Sequence, residues 1–249
     1  FFLRNTANNK ISIERISVNK ITFHQLHNDG WLMIKSLKSK DANQESIFRI
    51  QDSYLGKCEL YHVDLASFQQ IQIFNCHLQN IVPVNVKWNF NIKAYEGIKT
   101  EYLREFFRQL KNVCSTNMDK ISQLRFERLE MHFYNQQLHW WRNFGDWIIL
   151  KSNRYSNDYG QNWIYPILWL FSFSFLFYTI LNYCNGGFHC YHIGNYSNFM
   201  MPFHSLKDVL CEDKNAMQNN WVFFWDIMQR IFSSYFIFQF LRAFRKYVN

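Results

Sequence analysis

The sequence predicts a β-solenoid, a right-handed parallel β-helix, followed by an α-helical hairpin and two transmembrane α-helices. Three observations carry this reading. Through residues 1–90 apolar residues recur in pairs two apart that advance by five. After Trp88 the spacing turns helical. Two late stretches, 163–183 and 221–241, are long enough and aromatic enough to cross a bilayer.

The rhythm opens in "ISIERISVNKITFHQL", 11–26, with Ile11/Ile13, Ile16/Val18 and Ile21/Phe23. It resumes at Phe48/Ile50 and runs through Ser53/Leu55, Cys58/Leu60 and Val63/Leu65 to Phe68/Gln70. A three-residue reset then gives Ile71/Ile73, Cys76/Leu78, Ile81/Pro83 and Val86/Trp88. This is neither the period 2 of a half-buried strand nor the 3.6 of an amphipathic helix. A coil with short straight sides satisfies it: two side chains of each side point inward and three residues turn a corner. Stacked coils then bury a continuous core. An ordinary sheet with irregular bulges is the competing reading. Residues 29–47 break the rhythm and are expected to loop out as an insertion. "HQLH", 24–27, falls on outward corners.

The units "CELYH", 58–62, and "VDLAS", 63–67, resemble the pentapeptide-repeat family, whose unit is roughly A-(D/N)-L-x-x. The chain departs from that pattern at the first inward position, where Ile, Val or Phe often replaces a small residue. A wider, less regular coil of about three turns follows.

In "TEYLREFFRQLKNVC", 100–114, Leu103, Phe106, Phe107, Leu110 and Val113 share one helical face. Thr116 and Asp119 read as an N-cap pair opening a second helix, and the hairpin, 91–143, is expected to cap the solenoid's open end. Its charges are mixed in sign, as on a solvated face, and no nucleic acid is expected. Residues 144–162 read as a membrane-surface linker, with Trp147, Ile148, Ile149 and Leu150 dipping in.

The 21 residues 163–183 carry no charge and as a helix span roughly 30 Å. The second stretch, 221–241, contains Asp226, Gln229, Arg230 and Ser233, which gather within about 100° on a helical wheel. Charges inside a bilayer are costly unless paired or facing water. Two readings follow: an Asp226–Arg230 pair one turn apart and buried, or a polar stripe lining a pathway. Two helices cannot enclose a pore, so the second reading requires a homo-oligomer. No TVGYG filter lies between the spans.

The net charge is +8. Lys151 and Arg154 precede the first span, and Arg242, Arg245 and Lys246 follow the second. By the positive-inside rule both termini are cytoplasmic and the loop 185–220 lies outside. Cys190 and Cys211 in that loop are a possible disulfide; their spacing does not match a zinc site. Cys58, Cys76 and Cys114 read as buried apolar residues or free thiols. No metal or cofactor is implied. Phosphate-binding glycine loops, G-x-S-x-G and H-E-x-x-H are missing, which argues against an enzyme. The chain opens on Phe1 rather than Met, which leaves room for a preceding segment, and Arg4, Asn5 and Lys10 interrupt any signal-type apolar run.

Taken with the rhythm, "FFRQLKN", 106–112, and the terminal "FLRAFRKY", 240–247, make the layout look like bacterial pentapeptide-repeat membrane proteins, some of which end in a two-helix channel-like module. That resemblance implies a bacterial cytoplasmic (inner) membrane protein. It further implies an oligomeric ion-conducting pore, a regulated toxic or defence effector. The alternative is a membrane-anchored scaffold or sensor whose solenoid binds a protein partner without conduction.

Overall fold

The computed structural model describes residues 2–7, 10–41, 45–78, 80–184, 193–209 and 220–245. Eight short strands come first: β1 (Phe2–Ala7), β2 (Ile11–Glu14), β3 (Lys20–Asn28), β4 (Trp31–Lys35), β5 (Ile47–Tyr54), β6 (Lys57–Tyr61), β7 (Gln70–His77) and β8 (Ile81–Val84). Odd strands form one parallel sheet in the order β1-β3-β5-β7, and even strands a second in the order β2-β4-β6-β8. A short third side closes each circuit through the bridges Ser17–Lys38 and Asp64–Lys87. This is a β-solenoid of about three turns.

Corners explain the rhythm. Arg15, Ser36, His62 and Asn85 each follow directly on an even strand and take φ of 53 to 54°. A second left-handed column, Gln25, Asp52 and Asn75, bends the odd strands with φ of 47 to 53°. None is glycine, so each corner costs on the order of 1 kcal/mol. The ladder offsets that cost, because the corner N–H groups stay within it: Arg15 donates to Lys35 O at 2.9 Å, Ser36 to Tyr61 O at 2.9 Å and His62 to Val84 O at 3.0 Å. Across the even sheet the columns lie 11, 10 and 10 positions apart (Gln25 to Ser36, Asp52 to His62, Asn75 to Asn85). The return arc varies, from 10 (Arg15 to Gln25) to 16 (Ser36 to Asp52) and 13 (His62 to Asn75). In the last of these a 3-10 turn, Leu65–Ser67, lies just before the three-residue reset of the rhythm.

The expected insertion at 29–47 is corrected. Residues 31–35 are β4, paired on both sides with β2 and β6. The rhythm continues through them as Leu32/Ile34 and Leu37/Ser39, all buried. One residue added around Asp29–Gly30 shifts the phase and hides it. The surplus is confined to the arc between Ser36 and Asp52. Gly56 marks the tightest approach of two coils: at φ +61° an added Cβ would collide with the Asn28 carbonyl oxygen and lie 2.8 Å from that of Gly30.

Two helices, α1 (Thr100–Thr116) and α2 (Lys120–Gln137), form the hairpin. Asp119 caps α2, accepting from Ser122 N at 3.1 Å. Thr116 instead closes α1, its hydroxyl donating to Asn112 O at 3.0 Å. The hairpin shares the solenoid's core, since Phe106, Phe107, Leu110, Phe126 and Phe133 continue the cluster begun by Ile13 and Phe23. Gln109 Oε1 accepts from the backbone N–H of Leu78, just past the end of β7, at 2.9 Å. Solenoid and hairpin thus form one compact unit, Phe1–Leu150.

The second unit is Lys151–Asn249. α3 (Phe144–Asn157) runs into it, and α4 (Ile164–Cys184), α5 (Ile193–Met200), the single turn α6 (Leu206–Val209) and α7 (Asn220–Phe244) follow. Ring pairs Trp163–Phe244, Phe173–Phe232 and Phe177–Trp225 run in opposite order along α4 and α7, so the two helices are antiparallel. Among the described residues one helix, α4, is long and apolar enough to cross a membrane, with mean hydropathy 1.8 in its 18-residue window. The second expected span, α7, falls short of that measure, because Asp226, Gln229, Arg230, Ser233 and Gln239 interrupt its apolar run.

Candidate functional site

Each unit offers a place where chemistry-bearing side chains converge. In the second, the four polar residues singled out on α7 do meet, and they meet partners within the chain. Asp226 accepts from Arg230 Nε at 2.8 Å through one carboxylate oxygen, and the other lies 2.7 Å from His204 Nε2. Arg230 also donates to the backbone oxygens of His204 at 2.8 Å and Pro202 at 3.4 Å. Gln229 Nε2 donates to Phe199 O at 2.6 Å and to Ser233 Oγ at 2.7 Å. Residues 199–204 are thereby fastened to one face of α7.

Asp226, Gln229 and Ser233 are each no more than 2% exposed. Apart from Gln229 Oε1, which is buried without a hydrogen-bond partner, their side-chain groups bond inside the chain, as in the paired reading. Arg230 remains partly exposed through its long stem. A second polar cluster, which sequence reasoning missed, sits toward the C-terminal end of α7. Asn157 Nδ2 donates to Gln239 Oε1 at 2.5 Å, Gln239 Nε2 donates to Asn153 Oδ1 at 3.1 Å, and the Tyr235 hydroxyl lies 2.9 Å from Ser152 Oγ. The signal was available as Tyr235 and Gln239 one turn apart. It is weak, because neither carries charge. Cys190 and Cys211 lie outside the described residues. Among the described residues no group of three His, Cys, Asp or Glu could hold a metal ion.

In the first unit a cleft of about 640 Å³ opens where the odd strands bend past their left-handed column. One wall is a ladder in strand register, His27, Tyr54 and His77, with the His27 and Tyr54 rings stacked at 5.2 Å. The other is the face of α1 that carries Tyr102, Glu105, Phe106 and Gln109, residues spaced i, i+3, i+4 and i+7. His24 and His27, read as outward corners, are half-buried and exposed respectively. Nothing in the five-residue rhythm announced the cleft, because it depends on α1 returning against β7.

No protein-family model, curated protein or solved structure matches the chain. Fold and site geometry are therefore the grounds for a functional reading.

Proposed function

We propose that the chain is a membrane-anchored platform: α4 and α7 cross the bilayer together, and the solenoid presents its cleft to a partner. The supporting observation is the inverted polarity of α7. Its polar residues Asp226, Gln229, Ser233 and Gln239 point inward, while Trp221, Phe223, Ile231, Phe238 and Leu241 are exposed. A water-soluble helix has the opposite arrangement; inward polar groups bonded between helices and an apolar exterior suit hydrocarbon. α4 agrees, with 28% of its apolar window buried and the rest turned outward. The inward polar residues lower the mean hydropathy of α7 without removing its apolar exterior.

Lys151 and Arg154 near one end of α4, with Arg242 and Arg245 at the adjoining end of α7, put that end on the cytoplasmic side by the positive-inside rule. The solenoid unit precedes α4 and lies on the same side. The five-residue rhythm supports an architectural kinship with pentapeptide-repeat membrane proteins. Between the two activities considered, the anchor is favoured over the oligomeric pore, since the stripe that would line a pathway bonds within one chain.

Alkaline carbonate extraction of membranes from expressing cells, followed by ion-flux assay of the purified chain in liposomes, tests both parts. The chain should stay in the pellet and leave flux at the level of empty vesicles. Release as a soluble, monodisperse species would remove the anchor. Flux from well-folded protein would restore the pore.

A further inference from the structure

The chain is basic overall, at +8, yet among the described residues lining the solenoid cleft none is Lys or Arg. Its two walls each contribute a carboxylate: Asp52 from the left-handed column and Glu105 from α1. Both are held in place. Asp52 accepts from Asn75 Nδ2 at 2.7 Å and from Gln51 Nε2 at 3.0 Å. Glu105 accepts from Gln109 Nε2 at 3.1 Å and pairs with Arg108 at 2.7 Å. Gln109 is itself fixed by the Leu78 N–H, so the Glu105 carboxylate is tied through one amide to the end of β7.

The charges are built to persist. The Asn75 amide, then that of Gln51, holds the Asp52 carboxyl below its ordinary value. Burial works against the charge of Glu105, but the Gln109 amide and Arg108 outweigh it and hold that carboxyl low as well. Phe74 and Tyr102 stand beside them with ring centroids 6.5 Å apart. Tyr102 is 44% exposed, a large ring left open at the mouth.

The carboxylates of Asp52 and of Glu105, the latter already paired with Arg108, disfavour phosphate, nucleic acid and acidic peptides in a lining without Lys or Arg. Together with open aromatic faces they attract an organic cation, and a planar guanidinium stacks on such rings better than a compact ammonium does. About 640 Å³ holds more than one side chain and falls within the range of ligand-sized sites. We propose that this cleft binds an arginine-bearing extended peptide segment of a protein partner. The assignment rests on the platform reading, for which it names the partner's chemistry.

The test uses the full chain in nanodiscs and fluorescence polarisation with a fluorescein-labelled Gly-Gly-Arg-Gly-Arg-Gly-Gly peptide, beside an analogue with Gln in place of Arg. The Arg peptide should bind about tenfold more tightly than the Gln analogue. Glu105→Gln and Tyr102→Ala should each weaken it about three- to tenfold, and Glu14→Gln, which removes an acid from the even sheet, should leave it unchanged. Unaltered thermal unfolding of the variants separates lost binding from lost fold, and Tyr102→Ala carries the test if Glu105→Gln disturbs α1. Equal binding of both peptides, or equal weakening by Glu14→Gln, would overturn the assignment. Displacement by spermidine as effective as by unlabelled Arg peptide would give the cleft to a free polyamine and likewise overturn it. Carbonate extraction of the same variants reads the anchor separately: a retained chain without peptide binding loses only the cleft.

Discussion

At the scale of the residue, this fold depends on positions that tolerate left-handed backbone. Gly56 is the most demanding, because both its φ and the two carbonyl oxygens facing it exclude a side chain. Gly56→Ala should destabilise the first unit by about 2–4 kcal/mol, read as a fall in its thermal midpoint, since backbone rather than a flexible side chain must move. The seven non-glycine corners are a different matter. Their side chains, Arg15 and His62 among them, point to solvent or to neighbours in the stack, and Asn85 Nδ2 lies 2.8 Å from His62 Nδ1. The sequence showed where corners had to fall, through the spacing of Ile21/Phe23 and Phe48/Ile50. It did not show which residue would take positive φ, because Arg, Gln and Ser carry no preference strong enough to mark it.

At the scale of the element, α7 decides how the second unit is understood. Its inward charges hold the segment 199–204 through a network that leaves Asp226 between Arg230 and His204. Removing Asp226 strands both partners. Asp226→Ala should therefore lower the stability of the second unit by about 3–5 kcal/mol, seen as loss of monodispersity and of thermal midpoint in detergent. An unchanged midpoint would mean that the network contributes nothing to holding 199–204. Elements built from local pattern were legible beforehand: both hairpin helices, the apolar run of α4 and the length of α7 follow from spacing and composition alone. β4 was not, because one added residue near Gly30 moved Leu32 and Ile34 out of phase with Ile21 and Phe23. The role of His204 was not legible either. It lies in the loop 185–220, 22 positions along the chain from Asp226, and only folding brings the two together.

At the scale of the whole molecule, the two units differ in how they use apolar side chains. One buries a continuous aromatic and aliphatic core and leaves a charged cleft; the other buries a smaller aromatic cluster and turns many apolar side chains of α4 and α7 outward. Burial pushes the thiols of Cys58 and Cys114 up to about 12, so at neutral pH they stay protonated and poorly reactive. A chain with Cys76, Cys184, Cys190 and Cys211 changed to Ser can accordingly be labelled at one introduced cysteine. The decisive measurement is spin labelling at Ile231→Cys and Phe238→Cys on the outward face of α7 in lipid nanodiscs, with Met118→Cys in the hairpin turn, 92% exposed, as the water-facing control. Membrane embedding of α7 requires high collision rates with oxygen and low rates with a water-soluble nickel chelate at 231 and 238, and the reverse at 118. Chelate access at 231 and 238 equal to that at 118 would contradict it.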